Sequence, residues 1–314
     1  MNTFVAAGQM PWKILQLKDW VLKYGSIVPV HLQFYPTNRC NSRCPWCSCS
    51  ESDRTLEMPI EEINELVDYF ADMGTLAVTI TGGGEPTIHR NFQDMMRKFA
   101  DRQIKIGLVS NGIMWGKMDA DPGITKEVTT WMRISIYDTI GDYDTNIVQK
   151  ICRKLPAVDM SVSFTADHIV NLVTAERLCR MANDIPNMTH IRFVQNILDP
   201  DHEMFKMLID RCQGITSKAI FQYRDEWTKG AKKCLIGLLK PVVDVDGQVY
   251  SCCGAQYATE VTRRMPPRMS MGHWRNFHRL THFDGSVCKK CYYESYNQVL
   301  EMLVSGNLKH VEFA

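Results

Sequence analysis

Between His31 and Gln195 short β-rich runs alternate with amphipathic helical stretches, and this alternation limits the possible folds more than any other feature of the chain. A strand that is followed by a helix rejoins its sheet in parallel, so repeated units of this kind build a parallel sheet covered by helices. Strands are expected over His31–Tyr35, Leu76–Thr81, Lys105–Val109, Met132–Ile136, Asp159–Phe164 and His190–Val194. Helices are expected over Pro59–Met73, Asn91–Asp101, Tyr143–Lys154, Val170–Asn183 and His202–Cys212. In the first of these, Ile63, Leu66, Val67 and Phe70 recur at helical spacing behind a first-turn proline. Six such strands predict a partial (β/α)6 TIM-like barrel, open rather than closed, with its chemistry at the C-terminal ends of the strands.

After about Phe221 the rhythm changes. Val242–Val245, Asp246-Gly247 and Gln248–Ser251 read as a β-hairpin, because Asp-Gly supplies the positive φ of a tight turn. The expected organisation is an N-terminal helical segment over residues 1–28, amphipathic around Trp12–Tyr24 and packed on the barrel, then the barrel over 29–221. A small C-terminal α+β cluster-binding domain follows over 222–314, so the fold class is α/β with this appendage.

Composition removes several classes of function. With 36 basic and 35 acidic residues and a net charge of +1, the chain announces neither a nucleic-acid stripe nor an acidic tail. No apolar run reaches the roughly 18–20 residues of a membrane helix, and Met1–Met10 lacks the pattern of a secretory signal. A cytoplasmic protein is expected, in a compartment whose reducing conditions keep the 12 cysteines open to metals.

Directly after the first strand come Cys40, Cys44 and Cys47, spaced C-x3-C-x2-C. Three thiolates on one short loop can converge on one face of a cubane [4Fe–4S] cluster and leave its fourth iron open to a substrate or cofactor. A zinc knuckle is the competing assignment, and three cysteines without a fourth nearby suit it poorly. Cys49 extends the run to C-P-W-C-S-C and reads as a spare buried thiol.

With Trp46 just before the last cysteine, Pro36-Thr37-Asn38 ahead of the first, and Thr81-Gly82-Gly83-Gly84-Glu85-Pro86 at the end of the next strand, the chain resembles the radical S-adenosylmethionine (SAM) superfamily. The resemblance implies that Gly82, Gly83, Gly84 and Glu85 hold the SAM amino group. It also implies that Ser110 and Asn111 after the third strand and Ser135 on the fourth contact the methionine and ribose parts. Ser163 is a further candidate, and Val194 meets the adenine through its backbone. SAM would chelate the open iron and be cleaved to methionine and a 5′-deoxyadenosyl radical. The cofactor then carries the hard chemistry while the protein orients it.

A second set, Cys234, Cys252, Cys288 and Cys291, lies beyond the barrel: two cysteines flank the hairpin and two are spaced C-x2-C. Four thiolates suit zinc or an iron–sulfur cluster, and ligand type does not separate them. The arrangement resembles the Twitch module, a shortened relative of the SPASM domain, which implies a second, auxiliary [4Fe–4S] cluster used for electron transfer or tuning. Adjacent side chains on a strand face opposite sides, so only one of Cys252 and Cys253 faces the site; hairpin symmetry and the spacing of the module it resembles point to Cys252, which leaves Cys253 packed or as a hydrogen-atom donor.

The resemblance fixes the initiating step and leaves the outcome open. Dehydrogenation of a carbohydrate-like small molecule, an oxidoreductase reaction, is expected first, because the segment before His31 is too short for a leader-peptide-binding domain. Crosslinking or epimerisation of a ribosomal peptide is the alternative, and a non-catalytic iron–sulfur or zinc scaffold is the rival of another class. An electron donor such as flavodoxin or ferredoxin is the expected partner, with neither membrane nor nucleic acid involved. Tyr137, Asp138, Gln195, Asn196, Tyr223, Arg224 and Asp225 follow strand ends and are candidate cavity residues or ordinary loop positions.

Overall fold

The computed structural model describes residues 9–136, 145–167, 172–223, 228–258 and 264–306. Seven strands run parallel: β1 His31–Phe34, β2 Ala77–Ile80, β3 Lys105–Ser110, β4 Thr129–Ile136, β5 Asp159–Ala166, β6 Met188–Gln195 and β7 Ala219–Gln222. Their helices are α1 Met10–Tyr24, α2 Ile60–Asp72, α3 Phe92–Asp101, the single turns α4 Ile113–Gly116 and α5 Thr125–Val128, then α6 Thr145–Lys154, α7 Leu172–Asp184 and α8 His202–Cys212. The six expected strands and the helices between them are therefore present, each within a few residues of its expected bounds.

Two features extend the expected barrel. A seventh parallel strand, β7, follows α8, and the C-terminal segment adds three more strands to the other edge of the same sheet. After the short helix α9 Ile236–Leu239, β8 Val242–Val243 pairs in parallel with β1. The strands β9 Gln248–Tyr250 and β10 Ser270–His273 then continue antiparallel. The order is β10-β9-β8-β1-β2-β3-β4-β5-β6-β7, one ten-stranded sheet that does not close. The hairpin turns at Gly247, whose φ of +77° is the conformation that the Asp-Gly pair predicts.

Alternation along the strands separates a core from a site. Leu32, Phe34, Val78, Ile80, Met132, Ile134, Met160, Val162, Phe164, Ile191 and Phe193 are buried and pack in one cluster with the helices. Removal of each such side chain from water contributes about 1.5–3 kcal/mol. The alternate positions, among them Gln33, Thr79, Arg133, Ser135, Ser161, Ser163 and Arg192, carry polar groups, and by the period of two they occupy the concave face of the sheet.

The helices follow the same logic. Ile63, Leu66, Val67 and Phe70 of α2 are fully buried, and Pro59 caps the helix one residue ahead of its first turn with an extended ψ of 147°. In α1 the buried stripe is Met10, Ile14, Leu17 and Val21, and the helix ends at Gly25 in the left-handed region, its N–H bonded to Val21 O at 2.7 Å. It packs against α10 Glu294–Ser305, which closes the described chain. No helix among the described residues is long and apolar enough to cross a membrane.

Candidate active site

A cavity of about 1090 Å³ opens at the C-terminal ends of the parallel strands. Its walls include the thiols of Cys40, Cys44 and Cys47, the loop Gly82–Glu85, Ser110 and Asn111 after β3, Ser135 on β4, Ser163 and Thr165 on β5, and Arg192, Val194 and Gln195 on β6. Trp46 also lines it, as do Cys49 and Tyr257. Residues expected from six separate segments thus share one space. Asn196, itself buried, joins them, whereas Tyr223 is 47% exposed and is not among the lining residues. Tyr137, Asp138, Arg224 and Asp225 lie outside the described residues.

The glycine run has a specific local cause. A Cβ on Gly84 would stand 2.0 Å from the carbonyl oxygen of Arg39, and one on Gly83 would stand 2.0 Å from Asn38 Oδ1. Only bare backbone lets this loop lie against the start of the cysteine loop, where Gly84 N donates to Thr37 O at 2.9 Å and Glu85 N donates to Arg39 O at 2.7 Å. The glycines therefore fix the triad loop to the end of β2 as well as baring the cavity wall.

Glu85 is 3% exposed and its carboxylate is fully engaged. Oε1 accepts from Ser110 Oγ at 2.7 Å, Thr87 Oγ1 at 2.7 Å and Thr87 N at 3.2 Å, while Oε2 accepts from Asn111 N at 2.7 Å. Burial raises its pKa and these donors oppose the rise. Glu85 thus ties the exit of β2 to the exit of β3. The Ser110 hydroxyl also accepts from Gly112 N at 3.0 Å, and Asn111 Nδ2 reaches Asn41 Oδ1 on the triad loop at 2.7 Å.

Arg192 was invisible to motif reasoning: it lies on β6 two residues before Val194, lines the cavity and donates to Ser163 Oγ at 3.0 Å. Its only sequence signal is a cation at an inward-facing strand position.

The three triad thiols are partly buried, and burial foremost pushes Cys40 up to about 11. Among the described residues no three His, Cys, Asp or Glu groups converge closely enough to hold a single ion. Three thiols spread along the wall of a large cavity fit a multi-atom cubane better than a zinc ion, and the cavity continues past them to room for a chelating ligand.

Cys49 also faces this cavity. Burial pushes its thiol up to about 12, and Sγ donates to Gln256 Oε1 at 3.4 Å. Cys253, the expected hydrogen-donor candidate, is not among the lining residues; its thiol lies 3.9 Å from Tyr293 Oη. Both cysteines lie in the turn that follows β9, and that turn sends Cys252 alone into the neighbouring cavity.

That second cavity, about 520 Å³, is lined by Cys234, Cys252, Cys288 and Cys291 together. The strip containing Cys234 runs antiparallel to the strip containing the C-x2-C pair: Cys234 N donates to Phe283 O at 2.8 Å, Gly230 N to Cys288 O at 3.0 Å, and Cys291 N to Thr228 O at 2.8 Å. Close approach requires glycine at two places, since a Cβ on Gly230 would meet Gly285 O at 2.2 Å and one on Gly285 would meet Ala231 O at 2.4 Å. Asn297 on α10, 1% exposed, brackets Cys234 by donating to Lys233 O at 2.5 Å and accepting from Leu235 N at 2.6 Å. Burial pushes Cys234 up to about 12 and Cys288 up to about 11. Four thiols around one small, largely apolar hollow suit a fully ligated cluster.

The Radical SAM superfamily profile matches residues 34–127, the span from β1 through the glycine loop to α5. GTP 3′,8-cyclase of Desulforamulus reducens is 30% identical over 97 residues, which is 29% of this chain and 30% of that protein. The antilisterial bacteriocin subtilosin biosynthesis protein AlbA of Bacillus subtilis is 31% identical over 91 residues, 29% of this chain and 20% of that protein. The chain thus matches about a third or less of the length of these curated relatives. Among solved structures, Streptococcus suis SuiB bound to S-adenosylmethionine superposes with a TM-score of 0.54 at 13% identity, over 81% of this chain and 68% of that one. Native anSMEcpe with bound AdoMet and the Kp18Cys peptide gives 0.53 at 16% identity, over 84% and 87%. These likenesses establish the shared fold, and the matched profile shows that residues 34–127, which hold the cysteine and glycine loops, carry a Radical SAM superfamily domain.

Proposed function

We propose that this chain is a radical SAM enzyme that modifies a peptide substrate by abstracting a hydrogen atom from one of its C–H bonds. The carrying observation is that Cys40, Cys44 and Cys47 share one cavity with the Gly82–Glu85 loop and the polar ends of β3 to β6. When bound, the [4Fe–4S] cluster and SAM supply the one-electron cleavage of the sulfonium and the hydrogen abstraction.

The chain's own residues bind and orient. Cys40, Cys44 and Cys47 would hold three irons. The bare backbone of Gly82–Glu85 would receive the SAM amino group, with Ser135, Ser163 and Val194 along the remainder of the cofactor. Arg192 sets a positive charge in the same wall, suited to a carboxylate. Cys234, Cys252, Cys288 and Cys291 would hold a second [4Fe–4S] cluster with no open iron, placed to exchange electrons. The functional division falls near residue 222, with the barrel module before it and the auxiliary-cluster module after it.

A peptide substrate is favoured over the carbohydrate oxidation expected first. AlbA is a bacteriocin biosynthesis protein, SuiB has been solved with precursor peptide SuiA, and anSMEcpe with a peptide, whereas nothing in the comparisons supports carbohydrate dehydrogenation. All twelve cysteines stand as free thiols, which suits a reducing compartment such as the cytoplasm. A low-potential flavodoxin or ferredoxin is the proposed electron donor.

The test is anaerobic reconstitution with iron and sulfide, followed by reductant and SAM. Release of 5′-deoxyadenosine that is lost in Cys44→Ala supports the assignment. Folded, iron-loaded protein that releases none overturns it. Mass spectrometry of candidate peptides after turnover separates a modified peptide from an untouched one.

A further inference from the structure

At the end of the barrel opposite the triad, three basic side chains meet without an acid. The parallel register pairs Gln33 with Val242, and Lys240, which caps α9 two residues before β8, comes within electrostatic reach of His31 at the start of β1. Gln33 N bonds to Pro241 O at 2.9 Å and holds this register. Lys240 is only 7% exposed. From α1, which covers this end, Lys13 comes within electrostatic reach of both.

His31 Nε2 pairs with Thr79 Oγ1 at 2.8 Å, and its Nδ1 is buried with no partner. In the tautomer in which the threonine hydroxyl donates to Nε2, Nδ1 carries a hydrogen aimed at no acceptor. Neither lysine has an ion-pair partner among the described residues. No carboxylate perturbs Lys13 or His31: burial and the neighbouring cations pull the Lys13 ammonium down to about 8 and His31 well below its ordinary range.

Gathering cations in a buried place costs several kcal/mol unless an opposite charge joins them. We propose that Lys13, His31 and Lys240 form a binding site for a small oxyanion of the phosphate class, which pins α1 to the starts of β1 and β8. Two ammonium groups supply the charge and the imidazole N–H a directed hydrogen bond. The site lies at the start of β1, and none of its three residues lines the triad cavity, so it is separate from the reacting pocket.

Equilibrium dialysis of the full-length reconstituted protein against labelled inorganic phosphate, at constant ionic strength in chloride, tests the site. The expected result is one saturable equivalent per chain, with affinity reduced at least tenfold by Lys240→Met and by Lys13→Met but kept by Lys240→Arg. Thermal unfolding gives a second readout that does not depend on turnover. Millimolar phosphate raises the wild-type midpoint but not that of Lys240→Met, while in chloride alone Lys240→Met is as stable as wild type or more so, because it removes a buried charge. Absence of saturable binding, or equal binding by wild type and Lys240→Met, means an adventitious ion only and overturns the proposal.

Discussion

Cys49 Sγ donates to Gln256 Oε1 at 3.4 Å, which joins the loop after the triad to the segment after the C-terminal hairpin. Gln256 Nε2 in turn donates to Tyr257 Oη at 2.8 Å and to Cys253 O at 3.4 Å. The Cys253 thiol lies 3.9 Å from Tyr293 Oη, and Tyr293 N donates to Cys291 Sγ at 3.3 Å. A chain of polar and sulfur groups therefore runs from one cysteine cavity to the other.

This pairing separates Cys49 from the three cluster thiols. Cys49→Ala keeps the iron content of the protein and SAM cleavage within about twofold, whereas Cys47→Ala loses four irons and all cleavage. In the metal-free protein Gln256→Leu frees the Cys49 thiol, and its alkylation by maleimide becomes several-fold faster. Iron analysis and timed labelling with peptide mapping read both effects.

Glu85 acts through the loops it joins. Glu85→Ala strands four donors from Ser110, Thr87 and Asn111 and costs about 2–4 kcal/mol of stability. Urea denaturation measures the loss, and Glu85→Gln recovers part of it. A Glu85→Ala protein as stable as wild type contradicts the structural role.

Asn297 supports the second site alone. Asn297→Ala removes the bracket around Cys234, and iron bound at the four-cysteine site falls while the triad site stays loaded. A related comparison is Cys288→Ala with Cys291→Ala, which spares some SAM cleavage but stops turnover; loss of cleavage equal to that in the triad variants contradicts the division of labour.

His190 gives the protein an acid sensitivity. Burial, then Arg133 and Arg192, lowers it to about 4. The unfolded chain, with an ordinary histidine near 6.5, binds more protons between these values, so stability rises with pH across this window and is lost on acidification from about 6.5 towards 4. His31 shifts in the same direction. Unfolding free energies from urea denaturation at pH 7 and pH 5 differ less in His190→Gln than in wild type, by on the order of 1–3 kcal/mol.

Most of the barrel was legible because β1 to β6 alternate apolar residues with polar ones and each is followed by a helix with a clean stripe, as in α2. The strand β7 escaped because all four of its residues are only half-buried; the hairpin of β8 and β9 was legible, but the parallel pairing of β8 with β1 is a long-range contact that no local pattern reports. Cysteine spacing located both cysteine-lined cavities, since thiols on one loop keep a fixed spacing. Glu85's saturation, Arg192, Gln256 and Asn297 stayed hidden because their partners lie 25 to 207 residues away, and only the assembled sheet brings them together. The glycine loop was read for its bare backbone, but its packing against Asn38 and Arg39 is a tertiary contact that no local pattern reports.

The central claim is that Cys40, Cys44 and Cys47 hold a cubane whose fourth iron is open to SAM. Low-temperature electron paramagnetic resonance of the anaerobically reconstituted, dithionite-reduced Cys288→Ala/Cys291→Ala protein measures this with the second site removed. A [4Fe–4S]⁺ signal whose g-values shift on addition of SAM is predicted; a signal that ignores SAM, or folded protein that forms no such cluster, contradicts the account.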